Sequence, residues 1–464
     1  MVELTLSKHF KREFSSLSRT IGGFYASRAE KKNREEKRQN TRKGIIEFLL
    51  DLAFSSNEKR YSFFLDITGI IKKHSSKTSD RSYIYSNGKI EVGHSYSAVC
   101  LGAGAGWMLP ISIERIPSIK NKFDFVVSQI MSMLKKIPKK ALTIWVGDSA
   151  YCCNRFIHPL SKHEDVVTIT RVKSNKTMFS KHKDTKKVAG RKKVYGNKHY
   201  LTEKSLPPPD SVETFEEKTS KGEIQKVKVS LYKNYICRGS KEYRMSEVPM
   251  NFVKVEVYKE NGSKKYDRDL WLKVAGERKD ELSLKDVYYA YKERFDIEHF
   301  FKFGKSKLLM DKFQAIDPKR EEDFILFGSI AYHLLYYCKD LLGSFELRKW
   351  ESKKRVDLKS PCKIYRAAAN SSIFDEIENA HLKKRGIPTG RNIRKSFTRS
   401  PNQPIVRKEV DRSKLEILIK SRFKNRTRFS KTSINIDENS KTLPLERISN
   451  KTKEMCSKIL PRAG

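Results

Sequence analysis

Acidic residues are scarce in this chain. Only 55 Asp and Glu stand against 97 Lys and Arg in 464 residues, a formal net charge of +42. A field of that sign implies a polyanionic partner, and nucleic acid fits better than a membrane surface. Long hydrophobic runs are missing as well. The longest, Phe324 to Cys338, is interrupted by Ser329 and His333 and is too short to span a bilayer, so it reads as a buried helix and no membrane partner is expected. The opening residues, MVELTLSKHFKREF, lack the apolar core of a signal peptide. The seven cysteines (100, 152, 153, 237, 338, 362 and 456) are scattered and none forms a C-x-x-C pair. That suggests neither a zinc ribbon nor a disulfide framework, and a reducing cytoplasm is the expected compartment. No internal repeat is visible.

What the chain does contain is ordered in blocks. Residues 1–58 read as a helical, basic N-terminal region with a charged run, SRAEKKNREEKRQNTRK, for which DNA binding is a candidate role. RYSFFLDIT is an apolar run ending in a carboxylate, and KIEVGHSYSAVCLG and GWMLPISIERI read as a following strand pair. The GAGAG between them reads as a hairpin turn, since no helix opens after it as a phosphate loop requires. Lys122 to Leu134 has helical spacing, and ALTIWVGDSAY and VVTITRV are further buried strands. The order predicts a mixed α/β sheet. Residues 173–280 predict a β-rich insertion: KHKDTKKVAGRKKVYGNKHY is basic and loop-like, whereas KVKVSLYKNYIC, NFVKVEVYKE and RDLWLKVAG alternate with period two. Helical segments follow, and from Lys383 the chain is Arg- and Lys-rich with little periodicity, which predicts partial disorder. The domain reading is therefore 1–58, then 59–345 interrupted by 173–280, then 346–464.

The segment LKDVYYAYKERFDIEHFFKFGKSKL carries Tyr291, Arg294, Glu298 and Lys305. At ~100° per residue these four fall on one stripe roughly 60° wide. Val287, Phe295 and Phe301 share that stripe, so it is expected to face protein, with Lys292, Glu293, Asp296 and His299 elsewhere. Charged groups on an inward face must be paired or used. Taken alone, a buried ion-pair network in which Glu298 pairs with Arg294 explains the stripe equally well. Asp66 and Asp148 each follow an apolar strand, and each alone also reads as a turn or helix cap. If their strands are neighbours, the two carboxylates lie side by side and Glu298 completes a cluster. Three converging carboxylates repel one another unless a cation neutralises them, and hard oxygen ligands favour magnesium or manganese. Two such ions ~4 Å apart form a clamp for in-line attack on a phosphodiester.

The spacing Tyr, two residues, Arg, three residues, Glu, six residues, Lys, preceded by LDIT and WVGDSAY, resembles the YREK signature of the IS-four (Tn-five-like) group of DDE transposases. The resemblance covers roughly residues 60 to 345. It implies a ribonuclease-H-like (retroviral-integrase-like) α/β catalytic domain with a β-rich insertion, flanked by helical N- and C-terminal regions. It implies Asp66, Asp148 and Glu298 as catalytic ligands of two Mg2+ or Mn2+, and Tyr291, Arg294 and Lys305 as contacts to phosphates at the element's end. Trp271 falls where such enzymes stack a displaced base, with a plain strand-core Trp as the alternative. Arg171 and the run from Lys183 to Lys193 are candidates for backbone contacts; His94 and Cys152 receive no role. The implied activity is metal-dependent cleavage and strand transfer of an insertion sequence by cut-and-paste. The partners would be double-stranded DNA (terminal inverted repeats and target) and a second copy in a homodimeric synaptic complex, in the cytoplasm with the nucleoid. About 65 residues precede Asp66, fewer than many relatives devote to DNA binding, so the basic tail is expected to share end recognition. Two alternatives stand beside this reading: a structure-specific, metal-dependent DNA nuclease, and a catalytically silent, transposase-derived DNA-binding protein. RNA binding has no aromatic ribonucleoprotein-type motif to support it.

Overall fold

The computed structural model describes residues 34–54, 58–340 apart from short gaps (87, 105, 139, 183–192, 203–205, 220–221 and 314–315), 360–370 and 400–407. The first described element is a helix, α1 (Arg34–Phe54), which absorbs the later part of the charged run. A strand, β1 (Arg60–Ile71), and an antiparallel set, β2 (Ser82–Ser86), β3 (Lys89–Gly102) and β4 (Met108–Ile116), follow it. Then come α2 (Lys122–Leu134), β5 (Leu142–Gly147), α3 (Asn154–Leu160) and β6 (Val166–Val172). The expected hairpin at GAGAG is present: Trp107 N–H donates to Gly104 O at 2.9 Å, and Gly104 and Gly106 take the positive φ that glycine tolerates.

Among the described residues ten strands form one mixed sheet, in the order β2-β3-β1-β5-β6-β12-β11-β10-β9, with β4 also paired to β3. The strands β9 (Ser211–Lys218), β10 (Ile224–Tyr235), β11 (Met250–Lys259) and β12 (Leu270–Ala275) lie inside the predicted insertion. They do not stand apart as a module. β12 pairs antiparallel with β6, and the rest follow outward, so the open edge of the central sheet is covered rather than exposed. Only β7 (Thr177–Lys181) and β8 (Tyr195–Tyr200) form a separate two-stranded ribbon. The basic run from Lys183 to Lys193 and nearly all of the region from 346 onward lie outside the described residues. The exceptions in the latter are a short helix, Pro361–Asn370, and residues 400–407, whose Val406 N–H donates to Arg81 O.

The core is aromatic where β1 meets β5: Phe63 stacks on Trp145 with ring centres 4.4 Å apart. Val126, Ile130 and Met133 turn the amphipathic face of α2 inward. Three helices follow β12: α4 (Leu284–Glu293), α5 (Asp296–Ser306) and α6 (Pro318–Tyr337). Ser283 begins α4 with a reciprocal capping box to Asp286. α6 packs against β4, α5 against β1 and α4 against β5 and β6.

Charged groups fix α6 in place. Its Glu321 is fully buried, 2.6 Å from Lys72 Nζ and 3.1 Å from His94 Nδ1, and it accepts a hydrogen bond from Tyr96 OH at 2.8 Å. Its neighbours Glu322 and Asp323 bind Arg38 of α1 at 2.9 and 2.8 Å, and Glu322 also binds Arg115 of β4 at 2.8 Å. No described helix is long and apolar enough to cross a membrane.

Candidate active site

Asp66 and Asp148 are placed by strand register. β1 and β5 run parallel, and their last paired residues are Phe64 and Val146. Two residues further on stand Asp66, still within β1, and Asp148, the residue just after β5; alternation with period two carries both toward the face of Phe64 and Val146. β1 does not end at its acid, as the apolar run suggested. It continues to Ile71 while still paired with β3. The acids therefore mark the point where β1 and β5 part, and that divergence opens the sheet beside them. Asp66 accepts a hydrogen bond from Ile67 N–H at 2.8 Å, and Asp148 caps its own turn by accepting from Ala150 N–H at 2.8 Å.

The third element departs from the expected single helix. α4 stops at Glu293 and α5 starts at Asp296. Arg294 and Phe295 keep right-handed helical angles, but Ile297 and Glu298 N–H donate three residues back, to Arg294 and Phe295 O, in a tightened turn. The tightening turns the stripe. Tyr291 and Arg294 are buried as expected, at 2% and 6% exposure, whereas Phe295 is 46% exposed. Glu298, expected to face inward, has a side chain 57% exposed, and its Oε1 accepts from Arg294 Nη2 at 3.2 Å. Lys305 is half-buried and donates to Gly69 O of β1 at 3.2 Å. The stripe thus holds the local Arg294–Glu298 pair and reaches β1 through Lys305.

The acids nevertheless act on one another. Burial pushes the Asp66 carboxyl up to about 6; the Ile67 N–H and Arg294 hold it lower, and the charges of Asp148 and Glu298 raise it further. The Tyr151 phenol is also raised, by burial first and then by Asp66 and Asp148. Burial lowers Lys305, with Asp311 and Asp66 opposing. Arg294 is therefore the counter-charge of this pocket, stacked over Phe295 at 5.1 Å and Tyr291 at 5.8 Å, with its buried Nε left without a partner. Among the described residues no three His, Cys, Asp or Glu side chains are gathered closely enough to hold an ion. The donor chemistry still fits a divalent cation: Asp66 and Asp148 offer hard oxygens beside each other, and burial is what chiefly raises Asp66. Glu298 joins them only if Arg294 releases it.

Arg171 on β6 is exposed, and its charge reaches Tyr291. Trp271 lies on β12 opposite Val172, is 2% exposed and packs against Tyr232 at 5.5 Å. That is the strand-core position, and a base could reach it only if it left the sheet. Sequence reasoning passed over Tyr151, whose buried hydroxyl has no hydrogen-bond partner beside the two aspartates. The signal available was Gly147: a Cβ there would stand 2.7 Å from the Tyr151 ring, so the ring folds back over the strand end only because that residue is glycine. His94, given no role, belongs to the Glu321 network described above.

A family model described as "Transposase DDE domain" matches residues 79–334. The matched span begins after Asp66 and takes in Asp148, Tyr291, Arg294, Glu298 and Lys305. No curated protein matches the sequence significantly. Among solved structures, a piggyBac transposase synaptic complex with hairpin DNA is similar at 11% identity and a TM-score of 0.31, over 72% of this chain and 59% of that one.

Proposed function

The chain belongs to the transposase DDE domain family, whose model spans more than half of it, and from that premise we propose that it is an insertion-sequence transposase of the IS-four group. It would cleave double-stranded DNA at the element's terminal repeats and join the freed 3′-hydroxyls to target DNA by cut-and-paste. It would work in the cytoplasm at the nucleoid, as a homodimer holding two ends. The strand order β4-β3-β1-β5-β6, with β1, β5 and β6 parallel, supports a ribonuclease-H-like core. The observation that carries the proposal is the register that sets Asp66 beside Asp148 with Arg294 and Glu298 coupled to them.

Asp66, Asp148 and Glu298 would hold divalent cations, two Mg2+ or Mn2+, which when bound activate the attacking oxygen and neutralise charge on the leaving one. The chain's own residues do the positioning. Arg294, released from Glu298, turns its fork to a phosphate, for which a planar guanidinium is suited. Tyr291 and Lys305 hold the adjoining backbone, and exposed Arg171 extends that contact along β6. Trp271 and Tyr291 are both 2% exposed, so either would reach DNA only once uncovered. Purified protein, labelled element ends and Mg2+ test it. Cleavage that persists in Glu298→Ala, or that needs no divalent metal, sinks the proposal. Hydrolysis without strand-transfer products assigns a nuclease instead, and metal-independent binding without cleavage a silent DNA-binding protein.

A further inference from the structure

Lys273, in the middle of β12, is only 4% exposed. It lies between strands, opposite Thr170 of β6 and Phe252 of β11. A buried ammonium ordinarily has a carboxylate beside it, since an unpaired charge is costly to bury. Among the described residues no carboxylate is within ion-pairing distance of Lys273. Its neighbours are sulfurs: Cys237 Sγ lies 3.8 Å from Nζ, and Cys152 is the other group that raises the ammonium. Burial, the largest influence, pulls the ammonium down, but the two sulfurs outweigh it and leave Lys273 raised. Among the described residues these sulfurs are the groups that oppose burial at Lys273. Both cysteines are free and of intermediate exposure, and burial holds the Cys237 thiol above its ordinary value, so Cys152 is the one offered to a solute.

We propose that Cys152 and Cys237 form an oxidation site around the Lys273 ammonium, and that a hydroperoxide converts the pair to a disulfide. A cation beside a partly exposed thiol is the setting that favours thiolate chemistry, and a second thiol on the same cation supplies the resolving group. The thiolate attacks the peroxide: an S–O bond forms, the O–O bond breaks, and the departing hydroxide takes a proton from Lys273 to leave as water. The Cys237 thiol then passes its proton to the Lys273 amine and attacks the sulfenic sulfur. The S–S bond forms, the S–O bond breaks, and a second hydroxide leaves with that proton as water. One peroxide is reduced, two sulfurs are oxidised, and Lys273 ends as a neutral amine, the form a buried lysine without an anion prefers. The bond would join the loop that follows Asp148 to the segment that follows β10. This inference does not rest on the transposase reading.

The test is graded treatment of the full-length protein with hydrogen peroxide, blocking of remaining thiols, and peptide mapping without reduction. The expected product is a cross-linked peptide pair carrying Cys152 and Cys237, two hydrogens lighter and reversed by dithiothreitol. It should form about tenfold faster than exposed Cys362 is oxidised. Lys273→Met should slow the link by about the same factor, and Lys273→Arg, which keeps the charge, should largely restore it. Free Cys152 and Cys237 after Cys362 has reacted, or a link from Cys237 to Cys153, overturns the proposal in the unmodified chain without recourse to any variant.

Discussion

Arg294 and Glu298 meet at 3.2 Å from opposite surroundings, the guanidinium side chain 7% exposed and the carboxylate 57%. The pair is asymmetric: breaking it sets free a carboxylate that water already solvates and a cation that water does not. Glu298 contributes modestly to stability, because its own carboxylate is exposed and Asp66 remains as a second counter-charge for the buried Arg294. Glu298→Gln should therefore leave the melting temperature unchanged and DNA binding intact. Cleavage should fall about a thousandfold, the rate equivalent of several kcal/mol of lost metal-assisted stabilisation. Paired melting and cleavage measurements check it. A loss of fold with the loss of cleavage would return Glu298 to a structural role.

Lys305 reaches from α5 to Gly69 O of β1, and the proposal asks it also to hold a phosphate. The two roles separate by salt. Lys305→Met should lower the slope of log binding constant against log salt by about 0.9, the share of one neutralised phosphate on duplex DNA. An unchanged slope with a lowered melting temperature would assign Lys305 to the sheet alone.

The Glu321 network offers a larger effect. Lys72, His94 and Tyr96 converge on one carboxylate with no water-facing alternative. Glu321→Gln leaves the Lys72 ammonium without an anion, and chemical denaturation should show a loss of about 3–5 kcal/mol. The double variant Lys72→Met, Glu321→Met should recover much of that loss, since an apolar pair can replace a buried ion pair.

Gly147 and Tyr151 make a steric prediction. Gly147→Ala drives a Cβ to within 2.7 Å of the ring and should cost about 1–3 kcal/mol through strain. Tyr151→Phe removes a buried hydroxyl that has no partner and should be neutral or stabilising by about 1 kcal/mol. A strongly destabilised Tyr151→Phe would show that the hydroxyl is bonded after all.

These features differ in how far the sequence announced them. The strands carrying Asp66 and Asp148 were legible because apolar runs mark buried strands, and the helices because their periodicity is strong. Register was not legible: nothing local in RYSFFLDIT says that Phe64 will pair with Val146. The turn at Arg294 was invisible for a related reason. No glycine or proline marks it, and both residues keep helical angles, so a uniform 100° advance placed Phe295 and Glu298 inward. Lys273 has the alternation of any strand lysine, and only β12 joining β6 buries it. Glu321 stands in the first turn of α6, where an acid ordinarily answers the helix dipole; its burial comes from β3 and Lys72, more than 200 residues earlier.

His333 of α6 gives a pH signature. Burial lowers its imidazole to about 4, although its Nε2–H donates to Pro110 O at 3.0 Å. The folded state therefore binds this proton more weakly than the unfolded chain, whose histidine titrates near 6.5. Stability from His333 is fully present above about pH 6.5 and drains as pH falls toward 4, by about 2 kcal/mol between pH 7 and pH 5. Asp66 works the other way in the metal-free chain. With its folded carboxyl at about 6, the native state gains protons over the same window and is stabilised on acidification. In His333→Phe the His333 contribution is absent while every other group is kept, so that variant should gain stability relative to its parent as pH falls. Denaturant titrations of both proteins at the two pH values read the difference directly, and an identical pH response would show that His333 carries its proton in the folded state.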